Sequence, residues 1–184
     1  LIPLLKKKLI MEKNIIIDSK SGYSGAGRSL NTIFNNEDTY NSISAYGMSL
    51  HKHRIEIEQE LNKINKKKNN IVFTPHILPM FRGILSTIYI DLKKKNNAKT
   101  IYNYLKNYYK KKLFINFAEF NKPIGTYSVM NTNNCYISIC KTANKNKIII
   151  LSAIDNLIKG GSGQAIQNMN LIYEINEKFG FKNN

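Results

Sequence analysis

The feature that most constrains the fold is a series of short apolar segments of strand length, separated by polar turns. Thr142 to Asn146 forms one such turn and joins the last two segments as a hairpin connection would. The predicted strands are 15–17, 71–76, 84–91, 113–120, 134–141 and 147–153. Helical spacing interrupts this series, as at Ile57, Leu61 and Ile64. The alternation of hairpins and helices predicts an α+β fold around a mainly antiparallel sheet.

Four helices are predicted from apolar periodicity. Residues 1–12 and 98–111 are amphipathic, and a helix that carries two histidines ends near Ile64. A final helix is predicted from residue 163 to about Phe179, closed by Gly180 as a C-cap. Residues 29–45 carry little pattern and are predicted to be extended loop.

The net charge of +16 is composed in a way that argues against nucleic-acid binding. The chain has 25 Lys but 3 Arg, together with 26 Asn. Much of the Lys and Asn lies in runs between apolar segments, where solvated turns are expected. A surface that binds phosphates usually employs arginine forks and interleaved aromatic rings. Lysine is the usual basic residue of this chain, so an arginine indicates a need for the guanidinium group. Arg28, Arg54 and Arg82 are therefore predicted to bind carboxylate or phosphate groups.

The two cysteines, Cys135 and Cys140, lie five residues apart in one predicted strand. Side chains at that spacing point to opposite faces of a strand, so no disulfide is expected between them. Free thiols of this kind are typical of a reducing compartment. No apolar run approaches 18 residues and no cleavable signal is visible, so a soluble, cytoplasmic protein (or one in an organelle stroma) is expected.

His51 and His53 lie one residue apart at the start of a predicted helix, and Glu56 follows. Histidine changes charge near neutrality, and a nearby carboxylate can orient and tune an imidazole. The pattern fits acid/base catalysis or substrate binding. It also fits solvated surface residues, and it fits a metal site less well.

Two glycine-rich segments and one proline-bounded loop are further candidates. The segment Ser21 to Arg28 offers backbone amides and an arginine to an anionic group, although a plain glycine turn is equally consistent. The loop from Pro75 to Gly83 contains Arg82 and is architectural unless that arginine reaches a carboxylate. The segment from Asp155 to Ala165 opens the last helix at a glycine-rich N-terminus, which suits an anion.

Taken together, four collinear segments resemble the N-acetyl-gamma-glutamyl-phosphate reductase family of the semialdehyde and glyceraldehyde-phosphate dehydrogenase superfamily. The segments are Asp18 to Arg28, the cluster of His51, His53 and Glu56, Phe73 to Gly83, and Asp155 to Asn170. The resemblance extends over nearly the whole chain. It implies the α+β fold of the family's C-terminal domain, a mixed, mainly antiparallel sheet with helices on one face.

The resemblance implies an NADPH-dependent reduction of an acyl phosphate, N-acetyl-glutamyl 5-phosphate, to the 5-semialdehyde in arginine biosynthesis. In such enzymes a cysteine thiolate attacks the acyl phosphate, and hydride then reduces the thioester. His53 matches the acid/base histidine, a role worth about 10²–10⁴-fold in rate. The implied cofactor residues are Asn156 and Gly160. The implied substrate-binding residues are Ser21, Gly22, Ser24, Arg28, His51, Glu56 and Arg82.

The chain departs from the family at its N-terminal side, since the Gly-Cys-Tyr-Pro-type segment with the nucleophile and the NADP-binding domain are not in this sequence. Residues 1–162 are therefore expected to be a substrate-binding and dimerisation domain, with 1–12 a remnant of the helix after the cysteine. Residues 163–184 would pack on the nucleotide-binding domain, and without that domain the last helix is expected to leave an apolar stripe partly exposed: Ala165, Ile166, Met169, Ile172 and Tyr173. The chain is expected to be inactive alone and to require a separate N-terminal partner. No bound metal is expected. A gene fragment, a split enzyme and a decaying gene are all consistent with such a sequence.

The resemblance also implies a homodimer or higher homo-oligomer formed through the sheet. No nucleic-acid or membrane partner is expected, because of the composition and the short apolar runs. A related aminoadipyl phosphate stays open as the substrate. A non-catalytic dimerisation module is the alternative from a different class of function.

Overall fold

The architecture comes from a computed structural model that describes residues 1–25, 41–48, 50–65 and 71–181. Within these ranges the chain forms four α-helices and seven strands. The helices are α1 (Ile2–Lys6), α2 (Lys52–Asn65), α3 (Ala98–Tyr108) and α4 (Gly163–Ile172). The strands are β1 (Ile16–Gly22), β2 (Ser44–Ala45), β3 (Val72–Leu78), β4 (Ile84–Asp91), β5 (Ile115–Phe117), β6 (Cys135–Lys141) and β7 (Lys147–Ile154).

The strands form a single mixed sheet in the order β2-β3-β1-β4-β7-β6-β5. Four neighbouring pairs are antiparallel, and two pairs, β1 with β3 and β5 with β6, are parallel. The hairpin of β6 and β7 pairs Ile139 with Ile150. The α+β class and the mainly antiparallel mixed sheet are thus confirmed.

Three helices cover one face of this sheet and enclose the core. On that face Ile17 of β1 lies between Phe73 and Ile88, and the row continues through Ile150 to Ile139. The helices contribute buried side chains that pack against the row: Leu4 and Leu5 from α1, Leu61 from α2, and Ile101, Tyr102 and Leu105 from α3. The alternation of apolar and polar residues along each strand therefore sets which face is buried.

The opposite face carries an apolar row that these helices do not cover. Direct cross-strand pairing places five residues in this row: Val72, Ile16, Tyr89, Ile149 and Cys140. Val72 is 56% exposed, Ile16 38% and Tyr89 37%. A sheet face with β-branched and aromatic side chains at this exposure is unusual for a surface that stays in water.

The predicted strands and helices differ from the observed ones mainly at their ends. β1 runs on to Gly22, because Ser21 and Gly22 pair with Ile77 and Leu78 of β3. β5 is shorter than 113–120, α3 ends at Tyr108 rather than 111, and α1 ends at Lys6 rather than 12. Of the predicted loop 29–45, residues 29–40 lie outside the described ranges, and Ser44–Ala45 form β2 instead of loop. β3 runs on to Leu78, so the first part of the predicted loop from Pro75 to Gly83 belongs to the sheet.

The prediction that the last helix runs to Phe179 and is capped by Gly180 was wrong. α4 ends at Ile172, and Glu174 adopts a left-handed φ of 55° that a helix cannot continue. The buried side chain of Asn170 then donates from Nδ2 to the carbonyl oxygens of Glu177 and Phe179, which folds the tail back on the helix. Gly180 has a φ of 82° but lies in this tail.

Candidate active site

The predicted glycine-rich segment begins as the end of β1 and continues as a tight backbone pairing with the turn before β4. Gly22 donates its N–H to the carbonyl of Gly83 at 2.8 Å, and Ser24 donates to the carbonyl of Phe81 at 3.1 Å. A Cβ at Gly22 would lie 2.6 Å from the carbonyl oxygen of Phe81, so only glycine allows this approach. Ser21, one residue earlier in β1, is also buried, and its Oγ donates to the carbonyl of Gly22 at 3.0 Å.

Asn156, at the end of β7, links this segment to the start of β4. Its Oδ1 accepts from the N–H of Gly83 at 2.6 Å, and its Nδ2 donates to Oγ of Ser24 at 2.9 Å. The side chain is almost fully buried. The three segments that the sequence singled out around Ser24, Gly83 and Asn156 are therefore in direct contact, although 132 residues separate Ser24 from Asn156.

Arg82 forms a salt bridge with Asp155, whose side chain is fully buried. The distance from Nη1 of Arg82 to Oδ2 of Asp155 is 3.3 Å, and Nη1 also donates to Oδ1 of Asn131. The Asp155 carboxylate further accepts from the backbone N–H groups of Asn131 at 2.8 Å and of Leu157 at 2.9 Å. The site thus rests on a buried carboxylate that ties the 131 turn to the end of β7.

Both arginines in the described ranges hold a carboxylate of the chain itself. In α2, Nη1 of Arg54 lies 3.1 and 3.2 Å from the two carboxylate oxygens of Glu58, and Glu58 also accepts from the N–H of Ile71. Arg54 and Arg82 each pair with a carboxylate of the chain through Nη1 alone, and the binding of a substrate group by Arg82 stays a prediction. Arg28 lies outside the described residues.

Gly160 lies on the turn that connects β7 to α4. Residues Ile158–Ser162 form one π-helical turn, in which the N–H of Gly160 donates to the carbonyl of Asp155 at 3.0 Å. A Cβ at Gly160 would come 3.8 Å from that of Asn156, so the two predicted cofactor residues are neighbours. The backbone N–H of Gly160 donates within the turn. Of these two residues, Asn156 therefore supplies the polar group that a cofactor could contact.

The two histidines lie at the start of α2, and His51 packs on Phe73 near the start of β3. Gly47, with a φ of 56°, accepts the N–H of His51 at 3.0 Å and turns the chain into the helix. The ring of His51 is half-buried between Tyr46, at a centroid distance of 5.5 Å, and Phe73, at 5.3 Å. The ring of His53 lies 4.8 Å from that of His51 and is exposed.

Electrostatics distinguish His51 from its neighbours. Burial lowers the pKa of His51, the charges of His53 and Lys52 lower it further, and the charge of Glu56 partly opposes them. Glu56 is exposed and acts on His51 through this charge. Burial also raises the pKa of Tyr46. Burial and the neighbouring charges of His53 and Lys52 thus favour the neutral form of His51.

A row of three serines lies on the helix-covered face of the sheet, between Phe73 beside His51 and the sheet end at Asn156, and it was not predicted from the sequence. Ser19, Ser86 and Ser152 pair directly across β1, β4 and β7, with Oγ of Ser19 and Oγ of Ser86 3.0 Å apart. Cys135 continues this polar patch, with Sγ 3.5 Å from Oγ of Ser152. Polar residues at inward positions of apolar strands are the signal that could have revealed them.

Cys135 and Cys140 are both free thiols, as predicted. Cys135 faces the serine row, whereas Cys140 lies near Ser138 on the other face of the sheet. Burial raises the pKa of Cys135, which disfavours the thiolate that a nucleophile needs.

Across the described ranges, no group of three or more His, Cys, Asp or Glu side chains is arranged to hold a metal ion. In the same part of the chain, no helix combines the length and apolar character needed to cross a membrane.

The fold is that of semialdehyde dehydrogenases. A probable aspartate-semialdehyde dehydrogenase from Pseudomonas aeruginosa superposes with a TM-score of 0.70 at 14% identity, covering 94% of this chain and 57% of that one. Aspartate semialdehyde dehydrogenase from Francisella tularensis gives a TM-score of 0.70 at 16% identity, with 94% and 60% covered. At these identities the likeness defines the fold alone.

Sequence comparison carries the assignment further. The sequence profile described as "Semialdehyde dehydrogenase, dimerisation domain" matches residues 1–156, and the chain belongs to this family. N-acetyl-gamma-glutamyl-phosphate reductase of Thermoanaerobacter pseudethanolicus is 46% identical over 179 residues, which are 96% of this chain and 51% of that protein. The reductase of the same name from Clostridium botulinum is 46% identical over 182 residues, with 98% and 52% covered. The chain spans about half the length of the curated relatives it matches.

Proposed function

We propose that this chain is the substrate-binding and dimerisation half of an NADP-dependent reductase that converts N-acetyl-glutamyl 5-phosphate to N-acetyl-glutamate 5-semialdehyde. The observation that carries the proposal is the 46% identity, over 96% of the chain, to a reductase of that name. The contacts among Ser24, Gly83 and Asn156 add support, because the segments that resemble the family meet at one end of the sheet.

In this proposal His53 is the acid/base group and His51 contacts the substrate. His53 is exposed at the start of α2, where a ligand can reach it, and His51 beside it is fixed by aromatic packing. Ser21, Gly22 and Ser24 form the edge of the substrate site, and Glu56 and Arg28 complete it. Arg82 uses Nη1 for Asp155 and Asn131, so any contact with a substrate anion would come from its other nitrogen atoms.

Asn156 and Gly160 are the residues of this half that would meet the nicotinamide. An asparagine amide nitrogen carries two N–H groups, and among the described residues Nδ2 of Asn156 has Oγ of Ser24 as its acceptor. The second N–H suits an acceptor oxygen such as that of a carboxamide. When bound, the cofactor supplies the hydride; Asn156 and Gly160 bind and orient it.

The other half of the reductase would bring the cysteine and most of the NADP site. Residues 1–162 would then be the substrate and dimerisation domain, with 1–12 following the cysteine, and 163–184 the segment that packs on the nucleotide-binding domain. A related aminoadipyl phosphate is the alternative substrate, and a non-catalytic dimerisation module is the alternative function.

The proposal predicts that the purified chain alone does not oxidise NADPH in the presence of the acyl phosphate. Covalent catalysis is lost with its nucleophile, whatever the base contributes. Absorbance of NADPH measures this directly. Turnover above the rate without protein would contradict the assignment of the chain as one half of the site.

The proposal also includes a homodimer formed through the uncovered face of the sheet. The apolar row through Val72, Ile16 and Tyr89 provides one self-complementary patch, as a twofold interface requires. Light scattering at micromolar concentration should give about twice the chain mass of 21.2 kDa. Tyr89→Glu should shift it to the monomer, whereas Tyr108→Glu, at a half-exposed position on α3, should not. A monomer for the unmodified chain would contradict the dimer.

A further inference from the structure

A single backbone contact defines the chemical state of His51. The backbone N–H of His53 points at Nδ1 of His51, with a distance of 3.2 Å between the nitrogen atoms. A backbone N–H can only donate, so Nδ1 must offer a lone pair and cannot carry a proton. In a neutral imidazole the proton then lies on Nε2.

We propose that the His53 backbone N–H locks His51 as the neutral Nε2–H tautomer, which makes His51 a fixed hydrogen-bond donor to an acceptor oxygen of the ligand. The identity of that ligand rests on the proposed function. The inference adds separate roles for the two histidines to that function. His51 donates a hydrogen bond without changing its charge, and His53 carries out the proton transfers.

A flip of the His51 ring about its Cβ–Cγ bond would place Cδ2 instead of Nδ1 opposite the His53 N–H, and the packing around the ring opposes this flip. Tyr46 and Phe73 flank it, and its Cδ2 lies 3.1 Å from where a Cβ at Gly47 would stand. A substituent at Gly47 would displace the ring, and the left-handed φ there also favours glycine.

The charges around His51 also oppose a second proton. His51 precedes α2, a helix of 14 residues whose N-terminus carries partial positive charge. Of the titratable groups that face the ring, Lys52 and His53 oppose protonation, Glu56 favours it, and Tyr46 is neutral near pH 7. Burial is the largest contribution, and the pKa of His51 is lowered as a result.

The locked tautomer restricts what His51 can recognise. Nε2–H donates to an oxygen of a carboxylate, phosphate or carbonyl group, and it does not accept from a hydroxyl or amide N–H. Because a neutral imidazole carries no charge, other groups must balance the charge of an anionic ligand. The acyl phosphate of the proposed reaction offers only acceptor oxygens at its reactive end, which agrees with a donor at this position.

The test is the tautomer itself, read from two-bond ¹H–¹⁵N correlations of the chain labelled with ¹⁵N-histidine at pH 7. We expect His51 to show the pattern of a protonated Nε2 and an unprotonated Nδ1. His53→Ala keeps the backbone N–H and should preserve this pattern. His53→Pro removes that N–H at a first-turn position where a helix tolerates proline, and should give a mixture of tautomers.

An Nδ1–H or doubly protonated His51 in the unmodified chain would overturn the proposal, as would an unchanged tautomer in His53→Pro with helix content preserved by circular dichroism. These readouts need neither ligand nor turnover. Failure of the proposed reductase function would therefore leave the tautomer measurement intact, and a wrong tautomer would leave the reductase assignment standing.

Discussion

At the scale of single residues, Asp155 is the buried group on which the site depends most. Its carboxylate accepts from Arg82 and from three backbone N–H groups, including that of Ile158 at 3.1 Å. Asp155→Asn keeps the shape but places an amide N–H₂ against donors and leaves the guanidinium without its counter-charge. We expect it to lower the free energy of unfolding by about 3 kcal/mol, measured by urea denaturation.

The matched control for Asp155 is an exposed salt bridge. Glu119 lies 3.8 Å from Lys122, with both side chains largely in solvent. Glu119→Gln should change the free energy of unfolding by less than about 0.5 kcal/mol. Equal effects of the two substitutions would show that the buried carboxylate does not organise the site.

Predictions for single residues were correct where the chemistry of a side chain allows few kinds of partner. The scarcity of arginine indicated that Arg54 and Arg82 hold carboxylates, and the spacing of Cys135 and Cys140 excluded a disulfide. Asp155 was noted only as part of a glycine-rich helix start, because its partners Arg82 and Asn131 are distant in sequence. The local signal in the sequence was the aspartate itself, since aspartate often accepts from the backbone N–H groups two and three residues later, as Asp155 does from Leu157 and Ile158.

At the scale of elements, α4 presents an apolar stripe to solvent and a polar face to the chain. The stripe was predicted as Ala165, Ile166, Met169, Ile172 and Tyr173, and all five are exposed. Gln167 and Asn170 are buried instead. The predicted exposure is confirmed, and we propose that the nucleotide-binding half covers this stripe.

Substitution of the stripe should separate stability from assembly. Ile172→Lys, at a position that is 76% exposed, should change the unfolding free energy of the chain by less than about 0.5 kcal/mol. Asn170→Ala removes the donor to Glu177 and Phe179 and should cost about 2 kcal/mol. Urea denaturation compares them. A cost for Ile172→Lys as large as that of Asn170→Ala would mean that the stripe packs within the chain.

Elements were predictable where the apolar period was long, and their ends were not. β4 was predicted with its observed bounds, because Ile84 to Asp91 alternates without interruption. β1 was predicted too short, since Ser19 and Ser21 are polar and their place in the sheet depends on pairing with β3 and β4. The end of α4 depends on Asn170 and the returning tail, a tertiary contact that periodicity does not contain.

At the scale of the whole molecule, the chain has one covered and one uncovered sheet face, and its candidate site lies at an end of the sheet. The ring of His51 packs on Phe73 near the start of β3. Asn156 and Arg82 lie at the opposite end of the sheet, and the serine row lies between these two positions. The uncovered face and the exposed stripe of α4 are two separate apolar surfaces. We propose a second copy for the first surface and the nucleotide-binding half for the second.

The most direct test of this account is the activity of a chimera. The N-terminal half of the Thermoanaerobacter pseudethanolicus reductase, which this chain does not match, is joined to residue 1 of this chain. We predict NADPH-dependent reduction of N-acetyl-glutamyl 5-phosphate by the chimera, a loss of about 10²-fold or more in kcat with His53→Ala, and no turnover by the chain alone. A folded chimera without activity, or one whose kcat is unchanged by His53→Ala, would contradict the account.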